Sequence, residues 1–136
     1  MAKYKRGANF ERDVLKDLIG DNTDTTKGYL HSLLPLLKHP SKNTLPLVYG
    51  IRSAGSRGFF DLLITFTYPC GTGFVLGVQC KIGVQSEKRM DSDLRKIKKL
   101  TNVHGVYALK VKGSKQPKYY PEISSILPLL WKGEKK

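Results

Sequence analysis

Asp61 is the side chain on which chemistry in this chain would turn. It stands before an apolar run, Leu62-Leu63-Ile64. A second run, Phe74-Val75-Leu76-Gly77-Val78-Gln79-Cys80-Lys81, returns after the turn formers Tyr68-Pro69-Cys70-Gly71-Thr72-Gly73. Alternation along a strand sends Gln79 and Lys81 to one face and Val78 and Cys80 to the other. Such a hairpin brings an acid, an amide and an ammonium to one edge of a sheet. A carboxylate on a core strand is costly to bury alone. A bound divalent cation removes that cost. Mg²⁺ is a hard ion that takes one or two carboxylates, several waters and substrate phosphate oxygens. A lysine beside it can orient an attacking water or steady charge developing on phosphorus. The plainer alternative is a strand-end aspartate paired with Arg52 or Arg57.

Two neighbouring stretches bear on the same edge. Ala8 to Ile19 has Phe10, Val14, Leu15 and Leu18 at helical spacing, with Asn9 as an N-cap. Glu11 borders that apolar stripe. It either complements the positive end of the helix or projects toward the sheet. Leu47 to Arg52 reads as a short strand that runs into Ser53-Ala54-Gly55-Ser56-Arg57-Gly58. Small residues there let backbone approach a phosphate closely, and Arg52 and Arg57 flank them with charge.

The succession Gly7-Ala8-Asn9-Phe10-Glu11-Arg12-Asp13, Arg52-Ser53-Ala54-Gly55-Ser56, Phe60-Asp61-Leu62 and Gln79-Cys80-Lys81 resembles the motifs of the archaeal-type Holliday junction resolvases. Those belong to the PD-(D/E)xK nuclease superfamily. The resemblance runs in order from about Lys3 to Val111, and its most specific piece is Arg-Ser-Ala-Gly-Ser followed by Asp. It implies a restriction-endonuclease-like core and metal-dependent hydrolysis of phosphodiesters in four-way DNA junctions by a homodimer. It also implies residue roles. Glu11 and Asp61 would bind metal, with the Gln79 carbonyl and the Cys80 backbone carbonyl completing the protein ligands. Mg²⁺ is the implied cofactor, with Mn²⁺ as a substitute. Lys81 would be the catalytic lysine, and Ser53 or Ser56 the hydroxyl near the scissile phosphate. The chain departs from the pattern at Phe60, where the motif name has proline, and at Gln79, where the family usually has glutamate. Gln79 can coordinate through its carbonyl but brings no charge, which leaves two carboxylates.

Composition fits a polyanionic partner. The 136 residues hold 24 Lys plus Arg against 11 acids, for a net charge of +13. That excess creates a field attractive to nucleic acid. Basic residues expected to meet phosphates are Lys3, Lys5 and Arg6 in an N-terminal arm, Arg52 and Arg57 at the loop, and Arg89, Arg95, Lys98 and Lys99 on a helix face. No lipid motif, membrane-length apolar run or apolar signal segment is visible, so no membrane partner is expected. Two cysteines, Cys70 and Cys80, make neither a disulfide framework nor zinc-ligand spacing. A cytoplasmic protein is expected, in the host cell if the chain is viral.

The remaining elements frame the hairpin. Gly20 to Pro46 holds a polar breaker and then Tyr29 to Leu37, a short helix interrupted near Pro35. Beside the resolvases this segment reads as an insertion whose leucines must be buried on the domain or on a partner subunit. Ser86 to Leu100 reads as a helix burying Met90, Leu94, Ile97 and either Leu100 or Thr101. Val103 to Val111 reads as a strand, and Tyr119 to Ile123 as a last edge strand. Ile126 to Trp131 is an apolar tail, either a subunit interface or part of the core. The expectation is one α/β domain over residues 1–136, a mixed sheet of four or five strands with flanking helices. Three other readings of function stay open: a related nuclease on nicked, flapped or foreign DNA, a catalytically weakened junction-binding protein, and a basic RNA-binding module using Tyr119 and Tyr120.

Overall fold

The structure, a computed structural model, describes residues 2–20, 28–52, 60–83 and 85–134, without the side chains of 2–6 and 131–134. Ser53, Ser56 and Arg57 lie outside the described residues, as does the polar breaker of residues 21–26.

Alternating strands and amphipathic helices produce an α/β architecture. Helix α1 (Ala2–Ile19) is followed by α2 (Tyr29–Leu33) and a 3₁₀ turn (Leu34–Leu37). Strands β1 (Leu47–Arg52), β2 (Leu62–Thr67) and β3 (Gly73–Ile82) come next. Helix α3 (Glu87–Thr101), β4 (His104–Lys110), β5 (Lys118–Tyr120) and α4 (Ile123–Glu134) complete the chain. The strands form one five-stranded mixed sheet in the order β1-β2-β3-β4-β5. β3 and β4 are parallel, joined by the α3 crossover, and the other neighbours are antiparallel.

Alternation divides the sheet cleanly. One face carries Leu62, Ile64, Phe66, Leu76, Val78, Val106 and Ala108, all in the main core. Phe10, Val14 and Leu18 of α1 pack on it, with Leu30 and Leu37. Leu30, Leu34 and Leu37 of the 20–46 segment are therefore buried on their own domain, while Leu36 and Leu45 are exposed. Pro35 stands where α2 gives way to the 3₁₀ turn, as its missing N–H and its ring demand. The opposite face carries Tyr107 and Leu109, covered by Met90 of α3 and flanked by Leu94 and Tyr120. The hairpin pairs Leu62 with Val78, so Val78 and Cys80 face α1 while Gln79 and Lys81 face the α3 side.

Several expectations need correction. The N-terminal segment is not an extended arm: α1 begins at Ala2, and Asn9 lies inside it rather than at its cap. Ala, Lys and Arg are good helix formers, and one glycine at position 7 costs only about 1 kcal/mol. Asn9 instead accepts a bond from Arg12 at 3.4 Å. In α3, Ser86 is the N-cap, but Leu100 is 73% exposed and Thr101 takes the inward place. The last strand ends at Tyr120, and from Ile123 the chain is helical. α4 buries Ile123, Ile126, Leu127 and Leu130 in the main core, so the described part of the apolar tail completes its own domain. Pro128 inside α4 costs about 3 kcal/mol as a helix breaker. Four buried aliphatic side chains, each about 1.5–3 kcal/mol, more than offset it.

Candidate functional site

Two backbone decisions set the position of Asp61. Phe60, just before it, is buried, and its ring lies where strand residues on both β3 and β4 have no side chain. A Cβ on Gly77 would come within 2.3 Å of that ring, and one on Gly105 within 2.4 Å. The Asp61 N–H donates to the Val78 carbonyl at 2.9 Å, just outside the β2–β3 register, which begins at Leu62 opposite Val78. The Asp61 Oδ2 accepts the Cys80 N–H at 2.7 Å. Isolated glycines inside strands signal close approach of another group, and that signal at Gly77 and Gly105 would have located the Phe60 seat.

Glu11 arrives from α1, on the other side of the sheet from Gln79 and Lys81. Its Oε1 accepts from Arg52 Nη1 at 3.1 Å, in a half-buried ion pair between α1 and β1. Arg52 is therefore engaged with Glu11 rather than with Asp61. Cys80 sits between the two acids. Burial first, then the Asp61 and Glu11 carboxylates, push its thiol well above the ordinary range. Gln79 is half-buried and lies beside Tyr107 of β4, and Lys81 is exposed beside Leu109.

Asp61 lies where β2 begins, near the end of β3, with Glu11 on one face of the sheet and Gln79 and Lys81 on the other. Among the described residues, no group of three or more His, Cys, Asp or Glu side chains is placed to hold a metal ion. Two carboxylates with the Cys80 backbone carbonyl would suit a hard, partly hydrated ion such as Mg²⁺ better than a four-ligand zinc site.

The cations are spread unevenly around this rim. Arg89 acts on the Tyr107 hydroxyl, level with Gln79. Lys98 instead donates to Asn102 Oδ1 at 2.8 Å, closing the α3 C-terminus, and acts on His104. His104 pairs with Leu76, five residues before Lys81, which at ~3.3 Å per residue puts Lys98 roughly 16 Å away along the strand. Arg95 and Lys99 are exposed on α3. Lys3, Lys5 and Arg6 belong to the first turns of α1. On the other flank of α1 a groove of about 1210 Å³ runs between Lys16, Lys110, Lys115, Tyr29 and Tyr119. Lys110 Nζ lies 6.0 Å from the centre of the Phe10 ring, one residue from Glu11.

The tyrosines considered for base stacking are tied down. Tyr119 donates to Asp17 at 2.6 Å and its ring stacks on Tyr29, 5.9 Å between centres. Tyr120 donates to Asp91 at 2.9 Å, and Tyr107 to Asp93 at 3.2 Å. Those acids therefore hold the sheet to its helices. Among the described residues, no helix is long and apolar enough to cross a membrane. Comparison with family models, with curated proteins and with solved structures gives no match to this chain.

Proposed function

We propose that this chain is a metal-dependent endonuclease that cuts branched DNA, four-way junctions above all, in the manner its motifs imply. One observation carries the reading. Asp61 holds the Cys80 N–H at 2.7 Å near the end of β3, the strand that bears Lys81, and burial followed by the Asp61 and Glu11 carboxylates pushes the Cys80 thiol up. Glu11, Asp61 and the Cys80 backbone carbonyl would hold Mg²⁺ or Mn²⁺ there, and the Gln79 amide, which faces the α3 side, would have to reach the ion past the end of β3. Such an ion would supply Lewis-acid charge to the scissile phosphate and a more acidic water. The protein's own contribution is placement. Asp61 is fixed through one oxygen by the Cys80 N–H, which leaves the other for a ligand. Lys81 brings an exposed ammonium to steady negative charge on phosphorus. Lys110 and Arg89 lie within the same end of the sheet and favour phosphate contact. A homodimer would present two such sites to opposed strands of a two-fold junction.

A second reading is favoured by the Arg52–Glu11 ion pair and by the neutral Gln79. Arg52 already compensates Glu11, so an ion must compete for that carboxylate. In this reading the chain binds junctions and cleaves them weakly.

Purified protein incubated with mobile and immobile four-way junctions, nicked duplex and flapped duplex separates these outcomes. Expected are paired symmetric nicks on four-way junctions with Mg²⁺, none with EDTA, and a loss of roughly a hundredfold in Asp61→Asn. Equal product from wild type and Asp61→Asn removes Asp61 from the chemistry. Junction binding without nicks selects the second reading, and cutting confined to flaps or nicks selects a related nuclease.

A further inference from the structure

The groove of about 1210 Å³ beside α1 lies on the side of that helix toward β4 and β5. One wall comes from α1 and α2, with Asp13, Lys16 and Tyr29. The other comes from the end of β4 and the loop to β5, with Lys110 and Lys115. Its volume exceeds the roughly 300–1,000 Å³ of pockets for small molecules, so it suits an extended ligand. Tyr29 lies parallel to Tyr119, with 5.9 Å between ring centres and 8° between planes. Tyr119 is anchored through its hydroxyl to Asp17 at 2.6 Å, and Tyr29 is 39% exposed. The pair is thus a fixed aromatic step with its outer ring open to the groove.

We propose that this groove takes a single-stranded nucleic acid, with an unpaired base on Tyr29 and its phosphates along Lys16, Lys110 and Lys115. Stacking on an aromatic ring accepts any base, because every base has a π-face. A duplex keeps its base faces inside its own stack and offers Tyr29 nothing along its length. A ligand that is only anionic, such as an acidic peptide, meets Asp13 and Asp17 as well as the lysines. A nucleotide strand uses both signs of charge. Its phosphates suit the ammonium groups, and the exocyclic amino group of a base suits the carboxylate of Asp13. One end of the groove lies beside the rim that holds Glu11 and Lys81. Phe10 precedes Glu11, and Lys110 pairs with Ile82, the residue after Lys81. In the nuclease reading, an unpaired strand in the groove would continue from a branch point held at that rim. The inference itself rests on the groove alone and stands whether or not the chain cuts DNA.

Fluorescence anisotropy of the full chain with a labelled oligodeoxycytidylate, without metal, tests it. Oligocytidylate, a blunt duplex of equal length and polyglutamate are measured beside it. Expected is tighter binding of the single strands than of the duplex, with affinity falling as salt rises. Tyr29→Ala is expected to weaken binding roughly tenfold with the salt dependence unchanged, and Tyr29→Phe to keep wild-type affinity. Lys110→Gln and Lys115→Gln, both at exposed positions, should each lower the slope of log affinity against log salt by about 0.7. Lys96→Gln, exposed on α3, leaves binding unchanged. The tighter of the two single strands identifies DNA or RNA as the source. A wild type that binds neither single strand overturns the proposal, as does tighter binding of the duplex or of polyglutamate. So does single-strand binding that Tyr29→Ala, Lys110→Gln and Lys115→Gln all leave unaltered. If Tyr29→Ala unfolds the chain, the two lysine variants decide.

Discussion

Cys80 is the residue through which the two acids can be read directly. Its raised thiol pKa has three causes in order: burial, Asp61, then Glu11. Removing negative charge nearby lowers that pKa, so more thiolate is present at any fixed pH. In a Cys70→Ser background, which silences the exposed thiol, Glu11→Gln should speed alkylation of Cys80 about threefold at mildly alkaline pH. Asp61→Asn should speed it more. An unchanged rate in Glu11→Gln would put Glu11 out of reach of Cys80. The acid types and the strand alternation were legible in the sequence, because both are local. The partners were not. Arg52 and Glu11 lie 41 residues apart and meet only when α1 packs on β1. Sequence offered Arg52 as readily to Asp61 or to phosphate.

At the scale of elements, the β2–β3 hairpin was readable from its turn cluster and its period of two, and α3 from its stripe and the Ser86 cap. α1 was read too short because Gly7 resembles a breaker while costing little within eighteen residues. α4 was missed because Pro128 and apolar residues nearly all round hide a helical period. Its helix is sustained by burial, a tertiary effect. The element with the most influence on the candidate site is the Phe60 seat. Ala at Gly105 or Gly77 would drive a methyl into the ring, which must shift and carry Asp61 with it. Each substitution should destabilise the fold by about 1–3 kcal/mol and cut nicking more than the lost stability explains. Thermal melting and junction cleavage measured together check this. Full activity and an unchanged melt in Gly105→Ala would mean that the Phe60 seat does not position Asp61.

On the whole molecule, positive charge is abundant but not uniform. Leu47, Tyr49, Ile51 and Val75 make the sheet uncharged toward β1, while Lys81 and Lys110 stand where β3 and β4 end. The proposed chemistry would rest on two carboxylates sharing one ion, and binding can be measured without substrate. Calorimetry or electron paramagnetic resonance with Mn²⁺ addresses it directly. Expected is one ion per chain, with binding weakened at least roughly tenfold by Glu11→Gln and by Asp61→Asn, and strengthened by Gln79→Glu. Wild-type binding that neither acid substitution alters, or no Mn²⁺ binding at all, would contradict a metal centre between Glu11 and Asp61.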